Sequence, residues 1–308
     1  MKTAIPVLAS LILLAASVRG AEPGTYEYYS YESGVTITGY EPDDSRELIV
    51  PSEIAGVPVT AIGWEAFKDC REVTSVVLPA GVTSIGSKAF FNCTRLASIS
   101  LPPGLTEIGD GAFFNCRALA RVSIPDSVTT IRDGAFFGTA LTSISIPSGV
   151  AEIGAFVFAR CPALEAIHVE PGNQHFSSID GVLFSADKYT LIRCPEGRAG
   201  DYAVPQKVSA LGGSSCSWWC YSVGGAFENC DRLASIQLPD GLTSIGARTF
   251  RGCSALASLT IPGQVSEIDA SAFDACPALT AIDVAPDNAD FSAVDGLLLN
   301  GEGTELVR

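Results

Sequence analysis

The chain has 308 residues, 47% of them hydrophobic, and a formal net charge of −15 at pH 7. This apolar content is enough for a large core, while the charged residues form no basic block. Such an acidic surface repels nucleic acid and anionic lipid, so the composition disfavours binding to either.

The N-terminus has the features of a secretory signal peptide. Lys2 precedes an apolar run from Ala4 to Val18, which is too short to span a membrane comfortably, and small residues precede a cut after Gly20. We predict that residues 1–20 are removed on secretion and that the mature chain does not insert into a membrane. An N-terminal anchor is the alternative interpretation.

Residues 21–50 are predicted to form an N-terminal β cap. The segment from Tyr26 to Tyr40 is rich in aromatic and β-branched residues, and its last residues alternate in polarity. We expect a hairpin that covers the end of the structure that follows.

A 23-residue phrase recurs along the rest of the chain. It reads Pro, Val/Leu-Thr-x-Ile-Gly, Ala-Phe-x-x-Cys and Leu-x-x-Ile-x-Ile, with clear copies at residues 79–101 and 239–261. Self-similarity at such a period predicts stacked rungs that share core positions. Alignment of the copies gives one column of Phe67, Phe90, Phe113, Phe136, Phe158, Phe227, Phe250 and Phe273, and another of Ile62, Ile85, Ile108, Ile131, Ile153, Leu211, Ile245 and Ile268.

Each rung is expected to combine strands with a short helix. Leu-x-x-Ile-x-Ile alternates with period two and predicts a strand of a parallel sheet, whereas Ala-Phe-x-x-Cys-x-x-Leu has apolar residues three apart and suits a helical turn. The segment after each Pro is a second extended piece. We therefore predict an α/β leucine-rich repeat solenoid over residues 51–308, strand-rich and with a parallel sheet.

Two segments depart from the period in the same way. Residues 170–195 and 285–308 match each other at an offset of 115 and each contain an Asp-Gly turn, which we expect to be followed by two short strands. No polar cap follows the second copy, so we expect a truncated product or a frayed last rung. A further insertion, residues 213–225, contains a loop with two tryptophans.

Seven of the ten cysteines share one repeat position. We predict a column of buried free thiols, since buried Cys behaves as a small hydrophobe; bridges between adjacent rungs are the alternative. Outside the column, Cys216 and Cys220 are candidates for a disulfide, and the spacing disfavours zinc. The column cysteines are Cys70, Cys93, Cys116, Cys161, Cys230, Cys253 and Cys276.

The repeated phrase, the entry segment Gly34-Val-Thr-Ile-Thr-Gly-Tyr40 and the Asn-x-x-Phe-Ser-x-x-Asp-Gly modules resemble the BspA-type (Treponema pallidum type) leucine-rich repeat family. The resemblance implies a secreted or surface-exposed protein, found mostly in bacteria and some protists, with several members linked to adhesion. It implies no shared catalytic residues. Repeat four departs from the pattern because it is one residue short and has Thr139 near the Cys position.

The sequence offers little catalytic chemistry. Neither His168 nor His175 lies beside a nucleophile motif, and the acidic residues are scattered. Asp287, Asn288, Asp290 and Asp295 lie close together in the second module and could supply oxygen ligands to calcium. They lack the alternating spacing of the ligands in a calcium-binding loop. We therefore expect no enzyme, no cofactor and no metal.

The predicted binding residues lie on the inserted loop. The outward positions of the main sheet are mostly short hydroxyls, whereas binding hot spots favour aromatic residues. Trp218, Trp219 and Tyr221 are therefore the candidate contact residues. We predict a monomeric, secreted or cell-surface binding or adhesion protein with a protein or glycan ligand; a structural spacer without a specific ligand is the alternative.

Overall fold

The computed structural model describes residues 25–43, 45–212 and 224–300. Over these ranges the chain coils into a solenoid of short strands joined by turns. The strands are β1 (Tyr26–Tyr31), β2 (Gly34–Tyr40), β3 (Glu47–Ile49), β4 (Glu53–Ile54), β5 (Val57–Ile62), β6 (Ser75–Val77), β7 (Ser84–Ile85), β8 (Ser98–Ser100), β9 (Glu107–Ile108), β10 (Thr130–Ile131), β11 (Ser143–Ile146), β12 (Glu152–Ile153) and β13 (Ala166–Val169). The later strands are β14 (Phe176–Ile179), β15 (Val182–Ser185), β16 (Thr190–Arg193), β17 (Gly200–Ala203), β18 (Ala210–Leu211), β19 (Leu233–Gln237), β20 (Ser244–Ile245), β21 (Ser258–Ile261), β22 (Glu267–Ile268), β23 (Ala281–Val284), β24 (Phe291–Val294) and β25 (Leu297–Asn300).

Most rungs contribute strands to two parallel ladders, although residues 121–124 form no strand. One runs β2-β5-β7-β9-β10-β12 and continues later as β16–β18 and β20–β22; at its start β1 pairs antiparallel with β2, and β4 pairs antiparallel with β5. The other comprises β3-β6-β8, β11–β13, β17–β19 and β21–β23. Register partners lie one repeat apart, as with Ile85 and Ile108, so the period in the sequence becomes the spacing between rungs. The predicted solenoid with parallel sheets is confirmed.

The core is a stack of phenylalanine rings. The ring centroids of Phe67 and Phe90 lie 5.2 Å apart, and those of Phe90, Phe113 and Phe136 follow at 5.4 Å each. The whole predicted Phe column is buried, with at most 3% of any residue exposed. Aromatic burial of this kind contributes heavily to stability, so the column holds successive rungs together.

The short helix predicted in each rung is wrong, because the Ala-Phe-x-x-Cys segments are turns. Glu65 and Asp69 have left-handed φ angles of 54° and 61°, which a helix does not contain. Alternate amides also point to different partners: the Phe67 N–H donates across the rung boundary to the Ala89 carbonyl at 2.7 Å, whereas the Cys70 N–H donates locally to Phe67 at 3.3 Å. A helix would keep all these bonds within one segment.

An antiparallel hairpin covers the first rung. Strands β1 and β2 pair antiparallel, and β2 continues into the ladder by pairing parallel with β5. Tyr26 and Tyr40 place their rings 6.4 and 5.7 Å from Phe67, which is the first ring of the column. The hairpin therefore seals the end of the stack.

The first Asp-Gly module has the two strands expected after its turn, β15 and β16, and a third strand, β14, before it. Asp180 and Gly181 have φ angles of 49° and 75°, the two consecutive positive values of a type I′ hairpin turn, and this turn joins β14 to β15. Strand β16 then pairs with β15. The missed strand, β14, is half-buried along its length, so its hydrophobic pattern is weak.

The module divides the hydrophobic core. Leu183 belongs to the core of the first rungs, whereas Val182 and Phe184 belong to that of the later rungs. Successive side chains of a strand point to opposite faces, so β15 forms a wall with a core on each side. The Phe column accordingly has its break between Phe158 and Phe227.

An asparagine fastens each module to the preceding rung. The Asn173 side chain donates to the carbonyls of Pro147 and Val150, both at 2.9 Å. In the second module Asn288 makes the corresponding bonds to Pro262 and Val265 at 2.8 and 2.9 Å. The two copies therefore dock in the same way.

A buried ion pair joins the two halves of the array. Arg193 donates to Glu196 at 2.6 Å and to the Gly225 carbonyl at 2.9 Å. Glu196 also accepts the Arg160 backbone N–H at 2.8 Å, so it links the rung before the module to the rung after it. Burial raises the pKa of the Glu196 carboxyl, and the Arg193 charge opposes that rise.

Candidate binding surface

The outer sheet face presents two columns of side chains to solvent, as the alternation predicts. Ser98 lies beside Ser75, and Ser258 lies beside Ala281 in register. Every member of both columns is exposed or partly exposed, while the intervening aliphatic residues are buried, except Val122, which is partly buried. The columns are Ser75, Ser98, Arg121, Ser143, Ala166, Ser235, Ser258 and Ala281, and Val77, Ser100, Ser123, Ser145, His168, Gln237, Thr260 and Asp283.

A shallow polar groove crosses the later part of this face. It encloses about 460 Å³ beside the ends of β19, β21 and β23. Its polar lining includes Gln237, Asp240, Thr260, Gln264 and Asp287. Hydroxyl, amide and carboxylate groups here offer hydrogen bonds but little apolar area for a partner.

The cysteine column is buried, and its thiols have a definite structural role. Cys93 donates its S–H to the Phe67 carbonyl at 3.1 Å, and Cys116 donates to Phe90 at 3.2 Å. Each of these two thiols therefore donates to a carbonyl of the preceding rung, a bond that residue spacing alone did not reveal. Free thiols in the column include Cys70, Cys93, Cys116, Cys161, Cys230 and Cys253, and Cys194, which lies outside the column, is also free.

Burial also makes these thiols unreactive. It raises the pKa of Cys70 to about 11 and that of Cys116 to about 12. The thiolate is the reactive form, so thiols shifted this far stay protonated at neutral pH. Thr139 fills the column position in the short repeat: its hydroxyl donates to Phe136 at 2.9 Å and lies 3.3 Å from the Cys161 sulfur.

The predicted contact residues Trp218, Trp219 and Tyr221 and the candidate disulfide pair Cys216 and Cys220 lie outside the described residues. The structure describes the repeat array on both sides of this segment, up to Gly212 and from Gly224. The Gly212 N–H donates to Leu191 at 2.7 Å, and a Cβ on Gly212 would lie 3.5 Å from the Ala226 nitrogen. The inserted segment therefore begins and ends at neighbouring points of the array.

The other candidate polar residues are dispersed. His168 lies exposed on β13, and His175 lies exposed before β14. The Asn288 side chain is occupied by its bonds to the preceding rung. In the part of the chain that the structure describes, no group of three His, Cys, Asp or Glu residues is placed to hold a metal ion.

No helix within the described ranges is long and apolar enough to cross a membrane.

A second aromatic stack, which the sequence analysis did not predict, lies on the turn side of the solenoid, formed by the Ala-Phe-x-x-Cys turns. Phe91, Phe114 and Phe137 are partly exposed, with centroids 5.0 and 4.4 Å apart. Beside them, Asn115 donates to Asn92 at 3.1 Å. The recurring Phe-Phe-Asn at residues 90–92 and 113–115 was the available signal.

A stack of 23-residue rungs with a parallel sheet of Leu-x-x-Ile-x-Ile strands defines a leucine-rich repeat protein. The family model for the BspA type leucine-rich repeat region matches six copies over residues 60–189 and 224–292, so the chain belongs to this family.

Solved structures agree with this assignment. A leucine-rich cell surface protein from Faecalibacterium prausnitzii is 28% identical, with a TM-score of 0.52, and the match covers 86% of this chain and 88% of that one. The pneumococcal vaccine antigen PcpA is 22% identical (TM-score 0.62; 87% and 83% covered), and a leucine-rich repeat protein from Eubacterium ventriosum is 24% identical (TM-score 0.58; 84% and 70% covered). These last two show the fold alone. The chain has no significant match among curated protein sequences.

Proposed function

We propose that the protein is a noncatalytic binding protein that acts at a cell surface or outside the cell and recognises a protein or glycan. The observation that carries this proposal is the pair of exposed columns held in register by a buried Phe stack, since rigid scaffolds of this kind commonly present binding surfaces. The apolar run that precedes Gly20 supports secretion, and the F. prausnitzii relative is described as a cell surface protein.

We place the main contact on the inserted loop. The outer sheet face consists mostly of hydroxyls, and truncating a serine removes little buried area on binding. Trp218, Trp219 and Tyr221 supply large aromatic side chains within a few residues of each other. A partner that contacts both the loop and the sheet would gain most of its affinity from the loop.

The test begins with residues 21–308 as the analyte on glycan and matrix-protein arrays. The double variant Trp218→Ala/Trp219→Ala should weaken the best ligand by about 2 kcal/mol or more, with unchanged circular dichroism. The triple variant Ser98→Ala/Ser143→Ala/Ser258→Ala is the matched control, and its affinity should change little.

Two results would overturn parts of this proposal. No ligand at micromolar concentration would favour the structural spacer over the binding protein. An unchanged affinity in the tryptophan variant, combined with loss of binding in the serine variant, would move the contact to the sheet face.

A further inference from the structure

Repeat four lacks one residue at a single defined place. In the neighbouring repeats two residues separate the column position from the following Leu, as in Cys116-Arg-Ala-Leu119 and Cys161-Pro-Ala-Leu164, but repeat four reads Thr139-Ala-Leu141. The ladders on either side stay in register: Ile131 pairs with Ile108 before it and with Ile153 after it. The deletion therefore falls in the bend between the turn segment and the sheet face.

The shortened bend leaves a notch in the surface. A cleft of about 480 Å³ lies here, with repeat four as its floor and repeats three and five as its walls. Its lining is largely apolar, and the partly exposed ring of Phe137 lies at one end, stacked on Phe114 at 4.4 Å. The lining residues are Asn115, Arg117, Phe137, Gly138, Thr139, Ala140, Arg160, Pro162 and Ala163.

Two exposed arginines, Arg117 and Arg160, flank the notch. Neither forms a salt bridge to any residue in the described ranges. Several other exposed arginines do, such as Arg95 with Glu72 and Arg132 with Glu107. Glu196 accepts the Arg160 backbone N–H and interacts weakly with the Arg160 charge, but it is buried and its salt bridge is to Arg193.

A cationic pair beside apolar surface is unusual on a chain with a net charge of −15. A guanidinium group binds carboxylates through paired N–H donors, and the apolar floor would accept a hydrocarbon or aromatic side chain. The cleft volume falls within the range of small-ligand sites, about 300 to 1,000 Å³. Both features therefore select the same chemistry, an apolar group next to negative charge.

We propose that this notch binds a short acidic segment of a partner protein in which an aromatic or large apolar side chain is flanked by carboxylates. The side chain packs on Phe137, Ala140 and Pro162, and the carboxylates accept hydrogen bonds from Arg117 and Arg160. This site deepens the proposed function by adding a second contact, with its own ligand chemistry, on the turn side of the array.

The probe is the capped tripeptide Glu-Phe-Glu, titrated into isotope-labelled residues 21–308 while the Ala140 and Ala163 methyl signals are followed by NMR. Capped Gln-Phe-Gln tests the charge, and capped Glu-Gly-Glu tests the aromatic ring. We expect saturable shifts at both alanines with Glu-Phe-Glu and at least tenfold weaker binding of the other two peptides. Equal binding of Gln-Phe-Gln, or no shift with Glu-Phe-Glu at millimolar concentration, would overturn the proposal.

Two variants test the site itself. Arg117→Gln/Arg160→Gln removes the guanidinium pair, and insertion of one Ala between Thr139 and Ala140 restores the 23-residue period and fills the notch. Each should weaken Glu-Phe-Glu at least tenfold, whereas Arg95→Gln, an exposed arginine outside the notch, should not. Unchanged affinity in the double arginine variant would overturn the proposal even if the insertion variant fails to fold.

The outcome is separable from that of the proposed function. The tryptophan variant could lose binding to the glycan or matrix-protein ligand while no peptide binds at the notch. That result would remove this inference and leave the proposed function standing. If Glu-Phe-Glu binds at the notch but no ligand is found on the glycan or matrix-protein arrays, this inference stands and the proposed contact on the inserted loop does not.

Discussion

At the scale of single residues, the phenylalanine column stabilises the array more than any outward-facing residue. Phe113 is fully buried between Phe90 and Phe136, with centroid distances of 5.4 Å on each side. Phe113→Ala should open a cavity and lower the free energy of unfolding by about 3 to 5 kcal/mol. Ser123→Ala, at an exposed position, should cost under about 0.5 kcal/mol in the same urea titration. Equal losses in the two variants would show that the columns are misassigned.

The thiol column predicts a chemical behaviour. Cys93, Cys116, Cys161 and Cys253 are buried and donate to Phe carbonyls, and burial raises the pKa of each thiol. They should resist a membrane-impermeant alkylating reagent at pH 8 and react completely in guanidinium, as read by mass spectrometry of the peptides. Rapid labelling of these four cysteines in the native protein would rule out a buried column.

At the scale of elements, the module turn packs directly on the strand beside it. A Cβ on Gly181 would lie 2.8 Å from the Ala166 Cβ, and φ at this glycine is 75°. Gly181→Ala should therefore cost about 3 kcal/mol, from backbone strain and steric overlap together. Gly200→Ala is the matched control, since φ there is 85° with nothing within 4 Å of the added atom, and it should cost only about 1 kcal/mol. Similar losses in urea unfolding would mean that the turn does not dock on β13.

The buried link between the two halves gives a prediction about pH. Burial raises the folded-state pKa of Glu196 above its ordinary value of 4.5, so the folded protein holds this proton to higher pH than the unfolded chain does. The carboxyl's contribution to stability is therefore full below pH 4.5 and falls as pH rises through the folded-state pKa. Glu196→Gln lacks this titration, so the stability difference, wild type minus variant, should decrease from pH 4 upward. A difference that grows with pH would mean that pairing with Arg193 outweighs burial.

The elements show how far sequence reasoning reaches. The Phe and Ile columns were predictable because one residue type recurs at a fixed period. That period gives the number of residues per rung and shows which side chains point into the core. The turn segment was mistaken for a helix because apolar residues three apart are compatible with a helix and with these turns. The hydrogen bonds that distinguish the two, such as that from the Phe67 N–H to the Ala89 carbonyl, join residues in adjacent rungs. Strand β14 was missed because serines occupy half of it.

The sites were less predictable than the fold. The short repeat was visible in the sequence, yet the notch depends on Arg117 and Pro162 from the adjacent rungs, so the deletion alone did not reveal it. The thiol bonds likewise connect Cys93 to a carbonyl 26 residues away. Contacts between rungs, rather than patterns within one rung, determine both features.

At the scale of the whole molecule, the array behaves as two stacks that share a wall. Rungs before the module pack on Leu183, and rungs after it pack on Val182 and Phe184. In a repeat array, stability is approximately the sum of rung and neighbour terms, so β15 and the Arg193–Glu196 pair carry the coupling between the halves. A binding surface that spans both halves would depend on this wall.

In most turn segments, every second backbone N–H donates a hydrogen bond to the adjacent rung, and these bonds are central to the solenoid. Through-bond NMR couplings across the hydrogen bonds test this arrangement most directly. In perdeuterated protein we predict a coupling from the Phe90 nitrogen to the Ala112 carbonyl carbon and another from the Gly109 nitrogen to the Ile85 carbonyl carbon. A coupling from the Phe90 nitrogen to the carbonyl carbon of Gly86, four residues earlier, would instead indicate a helix in the rung and would contradict the account.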